Sequence, residues 1–369
     1  MNAPPIDAMQ LYRAKKDKAR RPVVDKYSIL GFISSGTYGR VYKARSLDPE
    51  GQIYAIKKFK PDKEGEVVTY TGISQSACRE IALNMEIENI NVIKLREVML
   101  EDKSIYMVFE YAEHDFLQII HHHSSVLRTS IAVPVIKSLL FQLINGVLYL
   151  HNQQIMHRDL KPANILVTSG GVVKIGDLGL ARLCHNPLQP LYVGDKVVVT
   201  IWYRAPELLM GSKHYTKAVD NWAVGCIFAE LLSLRPIFKG EEAKLDAKKT
   251  VPFQKDQVTK IIEVLGTPDP EHWPGLTHMP EYQSMLRLDK HRPSLHQWFS
   301  TRLHAPLGYD LINRLLTYDP TRRITAKEAL QHRWFAAEPR PTKNAFQLLP
   351  QNQTYPLRRV TNDEASAMV

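Results

Sequence analysis

Short runs of β-branched and aromatic residues crowd the first hundred positions, at 27–33, 41–45 and 53–59. Such runs read as strands. The segments between them, Ser34-Ser35-Gly36-Thr37-Tyr38-Gly39 and Asp48-Pro49-Glu50-Gly51, carry turn chemistry, so the three strands form an antiparallel meander. Residues 76–87 switch to a helical pattern, and two more strand-like runs follow at 92–100 and 104–111. Beyond Glu113 the period changes. Ile136, Leu139, Leu140, Leu143, Ile144, Val147 and Leu150 recur at spacings of three and four, which marks one buried face of a long helix. Residues 219–232 and 257–265 repeat that signal, and no internal repeat at solenoid or propeller period accompanies it. The pattern predicts a small, sheet-rich first unit and a larger, mainly helical second one.

Composition narrows the class. Hydrophobic residues make up 44% of the 369 positions and charged residues 23%, ordinary values for a globular chain. The longest purely apolar stretch, 223–229, is too short for a membrane span, and the opening residues lack an apolar run behind a basic region, so neither a secretory signal nor a membrane partner is expected. The three cysteines, Cys78, Cys184 and Cys226, form no metal-spaced pair and are expected to be reduced and mostly buried. A formal charge of +10 invites a nucleic-acid reading. The excess sits in residues 13–21 and in scattered pairs such as Arg322 and Arg323, without interleaved aromatics, so direct nucleic-acid binding is not expected. The basic leader reads first as a solvated face. His121, His122 and His123 lack carboxylate or cysteine partners at metal spacing and read as an exposed loop.

The chemistry lies in the second half. His157-Arg158-Asp159-Leu160-Lys161-Pro162-Ala163-Asn164 is followed by Asp177-Leu178-Gly179. Phosphoryl transfer needs a carboxylate to accept or orient the attacking hydroxyl. It also needs an amide oxygen and a second carboxylate to hold the divalent ions that neutralise phosphate charge. These strings resemble the catalytic loop and metal-binding triplet of protein kinases. The resemblance implies Asp159 as base, Lys161 beside the transferring group, Asn164 and Asp177 as magnesium ligands, and ATP as phosphoryl donor. Upstream, 34–41 resembles the kinase glycine-rich loop with serine in place of its first glycine. Tyr54-Ala55-Ile56-Lys57 resembles the strand whose lysine meets the α- and β-phosphates, with Glu80 as its ion-pair partner.

By the same resemblance, nucleotide contacts would come from Ile33, Ser34, Ser35, Gly36, Thr37, Tyr38, Gly39, Arg40, Val41, Ala55, Lys57, Phe109, Glu110, Ala112, Asp115, Leu166 and Asp177. Thr200 joins the catalytic set. Ala205-Pro206-Glu207 closes the activation segment, Arg323 would pair with that glutamate, and Asp220 would anchor the catalytic loop. The implied fold is α+β and bilobal, a small antiparallel sheet lobe at 26–112 and a mainly helical lobe at 113–336. A basic leader, 1–25, precedes them, and a tail, 337–369, with Pro339, Pro341, Pro350 and Pro356 either wraps the surface or lacks fixed structure.

Finer strings narrow the resemblance. Ser76-Ala77-Cys78-Arg79-Glu80-Ile81-Ala82-Leu83, Trp202-Tyr203-Arg204-Ala205-Pro206-Glu207 and Tyr111-Ala112-Glu113-His114-Asp115 resemble the cyclin-dependent kinases, in particular the Mediator-associated, cyclin C-dependent kinases of fungal type. That subgroup carries DMG where most kinases have DFG; here the middle residue is Leu178. Asp195 occupies the place of the usual activating threonine, and a carboxylate brings less charge and one acceptor oxygen fewer than a phosphate. The basic partners Arg79, Arg158 and Arg182 are all present, so a partner protein is expected to complete their coordination. In the subgroup a helix before the first lobe contacts cyclin C, a use for residues 9–21.

Val199 and Arg204 match positions that in proline-directed kinases shape a site for proline after the acceptor residue. The resemblance thus implies a nuclear serine/threonine kinase of the Mediator kinase module, acting on RNA polymerase II C-terminal repeats and transcription factors. Two rivals remain. A mitogen-activated protein kinase would carry a TxY pair, yet Tyr192 has no threonine two residues earlier. A non-catalytic kinase-fold scaffold would lack one of Lys57, Glu80, Asp159, Asn164 and Asp177, all of which are present.

Overall fold

The structure, a computed structural model, describes residues 9, 11–12, 21–35, 39–59, 75–101, 104–184, 200–214, 216–243, 252–349 and 353–362. The chain divides into two compact units. One comprises Met1–Glu88, Ile93–Tyr111 and Arg358–Val369, the other Asn89–Val92 and Ala112–Leu357.

The first unit is built on a five-stranded antiparallel sheet of order β1-β2-β3-β5-β4, with β1 Tyr27–Ser35, β2 Gly39–Ser46, β3 Ile53–Phe59, β4 Leu95–Glu101 and β5 Ser104–Glu110. Alternation along β2 and β3 sends Tyr42, Ala44, Tyr54 and Ile56 into one cluster with Tyr27, Tyr106 and Val108. Val23 closes that cluster from a short helical turn, Val23–Lys26, whose Lys26 and neighbouring Tyr27 both bind Glu97, at 2.7 and 2.6 Å. The predicted helix forms at Gln75–Glu86.

β4 starts at Leu95 rather than at Val92, and the reason is a competing partner. Val92 pairs in parallel with Ile175, whose amide donates to Asn91 O at 2.8 Å, so residues 91–92 belong to the second unit.

The helical unit is organised by two buried helices, Val133–Asn152 and Ala218–Ser233. All seven positions picked by periodicity in the first are at most 2% exposed. By length and composition this helix could cross a membrane, but 67% of its most apolar window is buried inside the fold, as befits a core helix.

Two expectations need correction. The histidine run is not simply a solvated loop: His123 is 3% exposed, packed against Tyr355 with ring centroids 5.6 Å apart, while His121 stays outside. The tail brings a buried aromatic that local patterning around residue 123 does not reveal. The cysteines are free, but only Cys226 is buried. Cys78 lies on the solvent side of its helix, next to buried Ala77, and Cys184 follows a two-residue strand at Arg182–Leu183 with its thiol on Gln154 O.

Candidate active site

In the sheet unit the site begins with register. Val41, Lys57 and Met107 stand side by side on β2, β3 and β5, and Ala55 faces Phe109 in the next row. Lys57 Nζ lies 2.9 and 2.8 Å from the two carboxylate oxygens of Glu80, whose side chain is 1% exposed. Asn84 Nδ2 donates to Glu80 O one turn on, at 2.7 Å. Burying this pair costs desolvation that only good geometry offsets, so it fixes an ammonium in place more than it stabilises the fold.

Ser34 and Ser35 pair with Val41 and Arg40 to close the hairpin, with Ile33 just before them. Gly39 is needed at its end, because a Cβ there would meet Lys58 O at 2.5 Å. Gly36, Thr37 and Tyr38 lie outside the described residues. At the end of β5, Glu110 accepts from the Lys94 amide at 2.8 Å.

In the helical unit the predicted catalytic loop is tightly stitched. Asp159 Oδ2 accepts from Lys161 Nζ at 2.8 Å and from Asn164 Nδ2 at 3.0 Å, and Asn164 Nδ2 also reaches Asp159 O at 2.8 Å. Asp159 Oδ1 is buried and has no hydrogen-bond partner. A carboxylate oxygen in that state costs free energy in a finished fold, which marks it as reserved for a group that arrives from outside. Asn164 spends its amide nitrogen on Asp159, which turns its oxygen away from that bond. Gly176 N donates to Asn164 O at 2.9 Å, and His157 Nε2 contacts Gly176 O at 2.9 Å, so the next residue, exposed Asp177, is carried beside the loop. Amide and carboxylate oxygens are the hard donors that suit magnesium, so this set fits the implied ion.

Two residues here hold left-handed backbone, Arg158 at φ 67° and Asp177 at φ 58°. Aspartate tolerates the region, but arginine at that angle stores about 1–3 kcal/mol of strain unless neighbours enforce it. They do. Asp220, fully buried, accepts from the amides of His157 and Arg158 at 2.9 and 2.8 Å and contacts His151 Nε2 at 2.9 Å, while Arg158 Nε donates to Leu180 O at 2.7 Å. Burial pushes the Asp220 carboxyl up, yet the His151 hydrogen bond and neighbouring charge outweigh it and hold it below the usual carboxylate range. The predicted anchoring role of Asp220 is therefore visible in geometry.

The remaining predicted contacts are dispersed through this unit. Asp115 pairs with Leu166 in a short strand contact and accepts from Gln118 N at 2.8 Å, which caps the helix Phe116–His121; Ala112 is buried just before it. Thr200 stands at the head of the turn Ile201–Tyr203. Asp195, Val199 and Tyr192 lie outside the described residues, so the coordination of Arg79, Arg158 and Arg182 around Asp195 does too.

Sequence reasoning passed over Glu230, although a lone carboxylate in the apolar run Ala223-Val224-Gly225-Cys226-Ile227-Phe228-Ala229-Glu230-Leu231-Leu232 was a signal. It is 2% exposed and accepts from Tyr203 Oη at 2.6 Å, supporting the segment that ends in Arg204. Burial pushes the Glu230 carboxyl up to about 7, the Tyr203 bond offsetting this only in part, and raises the thiol of its neighbour Cys226 as well. The native state thus keeps a proton that the unfolded chain releases above pH 4.5. Stability from this group is complete below that pH and is lost as pH climbs towards 7, by roughly 3 kcal/mol in all. Glu230→Gln cannot titrate. Its stability relative to the parent should rise between pH 5 and 7.5, read from paired denaturation curves; a constant difference would refute the assignment.

A protein kinase domain matches residues 27–335 of the chain. The chain is similar to the serine/threonine-protein kinase SSN3 of Yarrowia lipolytica, 59% identical over 356 residues that span 96% of this chain and 87% of that protein. It is 60% identical over 361 residues to the proteins of the same name from Neosartorya fischeri and Aspergillus fumigatus, spanning 93% of this chain and 84% of each of them.

Proposed function

This chain belongs to the protein kinase family, and from that premise we propose that it is a cyclin C-dependent serine/threonine kinase of the Mediator kinase module. It transfers the γ-phosphoryl group of ATP to Ser-Pro and Thr-Pro sites, among them the RNA polymerase II C-terminal repeats and transcription factors, in the nucleus. The observation that carries the catalytic part is Asp159, with Oδ2 held by Lys161 and Asn164 and Oδ1 buried without a partner.

Each residue has a task that follows from its contacts. Asp159 Oδ1 takes the hydrogen of the substrate hydroxyl and orients its oxygen for attack. Lys161, already bound to Asp159 Oδ2, directs its remaining hydrogens to the oxygens of the transferred group. Asn164 and Asp177 would hold magnesium, which neutralises phosphate charge when bound. Lys57, its ammonium held by the two oxygens of Glu80, binds phosphate oxygens as a point charge. Tyr203, fixed by Glu230, and its neighbour Arg204 shape the floor on which the residue after the acceptor lies.

The cyclin reading rests on the outer surface of the sheet unit. Met85, 71% exposed, lies in the last turn of the helix that carries Glu80, and beside it lies a groove of about 440 Å³ whose lining mixes Met85, Ile87, Leu95 and Val98 with the charged Glu86, Glu88, Lys94, Arg96 and Glu97. Val24 and Leu100 are 48% and 50% exposed in the same unit. In the leader, Met9, Leu11 and Tyr12 are helical and more than half exposed, which puts apolar surface where a second protein can cover it. Such a partner buries these residues and steadies the Lys57–Glu80 pair.

The test is phosphate transfer from ATP to a Ser-Pro repeat peptide by the purified chain with and without cyclin C. Activity should appear with cyclin and fall at least tenfold without it. Full activity of the isolated chain would overturn the cyclin dependence, and none in either case would overturn the catalytic reading.

A further inference from the structure

The tail is built into both units at places next to predicted nucleotide contacts. Tyr355 is 6% exposed, its ring lying 5.1 Å from Phe346 and 6.4 Å from His114. Its hydroxyl lies 3.0 Å from His123 Nε2, and His123 Nδ1 lies 3.0 Å from Thr129 O. A carbonyl only accepts, so Nδ1 carries the proton and Nε2 receives the tyrosine hydroxyl. Burial holds this imidazole below its ordinary pKa, which keeps it in the neutral form the arrangement needs. The next residue, Pro356, accepts from His114 Nδ1 at 2.9 Å. His114 and Asp115 form one short strand, paired with Val167 and Leu166. The tail therefore holds the strand that bears Asp115 and faces Leu166.

Five residues later the chain joins the sheet unit. Phe32 N donates to Thr361 O at 2.8 Å and Thr361 N to Phe32 O at 2.9 Å, a complete antiparallel pair on β1, the strand at one edge of the sheet. Gly31 makes room for it, because a Cβ there would lie 2.5 Å from Val360 Cγ1 and 2.9 Å from Thr361 O. The β1–β2 register shifts on both sides of this spot, between Ile29 and Gly31 and between Phe32 and Ser34. Phe32 immediately precedes Ile33, Ser34 and Ser35, which lead into the glycine-bearing turn. A strand interrupted at two bulges is less firmly set by its neighbour β2 alone, and the tail supplies the missing backbone bonds on its open side.

We propose that residues 355–361 are a positioning segment for the nucleotide, fixed at the His114–Asp115 strand by Tyr355 and Pro356 and at the entry to the glycine-bearing turn by Thr361. This rests on the kinase reading and deepens it. None of these residues touches the reacting atoms. They act by holding backbone segments that bear predicted nucleotide contacts, Pro356 the strand of Asp115 within the helical unit and Thr361 the start of the glycine-bearing hairpin within the sheet unit. A tail that merely covered surface would leave nucleotide affinity unmoved.

The test compares the intact chain, a truncation after Leu349, Tyr355→Phe and Thr361→Pro, each with its cyclin. Proline at 361 deletes the amide that donates to Phe32 and leaves the Tyr355 anchor in place, so it serves if the truncation fails to fold. Three quantities are read: the dissociation constant of magnesium ADP by calorimetry, KM for ATP against kcat with saturating peptide, and hydrogen exchange over residues 27–35. Truncation and Thr361→Pro should weaken ADP and raise the ATP KM about fivefold or more, with kcat changed less than twofold. Tyr355→Phe should give a smaller shift of the same kind. Faster exchange at Phe32 with unchanged ADP affinity would overturn the proposal, since the anchor would then be lost without consequence. An intact chain that binds no ADP would instead overturn the nucleotide-site reading beneath it.

Discussion

Asp159→Asn should lower kcat by about 10²–10⁴ while leaving ADP affinity nearly unchanged. The substitution keeps the shape of the side chain and replaces a carboxylate oxygen that accepts with an amide that offers one acceptor and one donor. Its neighbours are already donors: Lys161 Nζ at 2.8 Å and Asn164 Nδ2 at 3.0 Å. The new amide oxygen is drawn to them, and the NH₂ turns to the position of Oδ1, where the hydroxyl hydrogen has to go. A donor then faces a donor. The acceptor hydroxyl loses its orientation as well as the sink for its proton, which is why an effect at the low end would still be large. Asn164 keeps its backbone contact to residue 159, at 2.8 Å, so the loop should survive. Single-turnover rates and calorimetry on the cyclin complex separate the two quantities. A kcat within threefold of the parent would remove Asp159 from the chemistry.

How much of this was legible in the sequence differs from element to element. The third strand appears at 53–59, where it was expected, because its alternating aromatic and aliphatic residues meet neighbours on both sides. The long helix was equally plain from its period, although it extends a turn beyond the predicted apolar positions in the N-terminal direction, where Pro134 fits the first turn. Asp220 could be read from its string, and the geometry gives the reason for a carboxylate there: two loop amides and an imidazole need one acceptor.

The tail was not legible. Tyr355 finds His123 across 232 positions, and Thr361 meets Phe32 in a single pair, so neither leaves a periodic trace. Glu230 is an intermediate case. Its isolation in an apolar helix was visible, but its partner Tyr203 lies 27 positions earlier in a separate segment, a pairing that no local pattern encodes. The pieces that fail to show in sequence are those whose free energy comes from one distant partner rather than from a repeated environment.

Arg323→Ala should destabilise the helical unit by about 3–5 kcal/mol, the largest loss expected from any single change outside the catalytic loop. The Arg323 side chain is fully buried, and every nitrogen is spent. Nη1 and Nη2 donate to the two oxygens of Glu207 at 2.8 Å each, Nη1 also to Ala218 O at 2.9 Å, Nη2 to Tyr318 O at 3.0 Å, and Nε to Thr317 O at 2.9 Å. The guanidinium also lies 5.1 Å from the ring of Trp222. Removing it strands the Glu207 carboxylate, 1% exposed, together with three backbone carbonyls. Glu207 sits in the first turn of Pro206–Leu209, directly after the segment that carries Tyr203 and Arg204, so the loss should loosen the substrate floor before the unit unfolds. Arg323→Lys should recover little, because an ammonium has three donors and no planar fork to match a carboxylate. Removing both charges with Glu207→Gln and Arg323→Met should cost less than Arg323→Ala alone, since no buried charge is then left unpaired. Urea denaturation followed by a probe in the helical unit measures all three. A loss below 1 kcal/mol for Arg323→Ala would mean that water reaches Glu207 and that the pair is not the buried clamp its geometry describes.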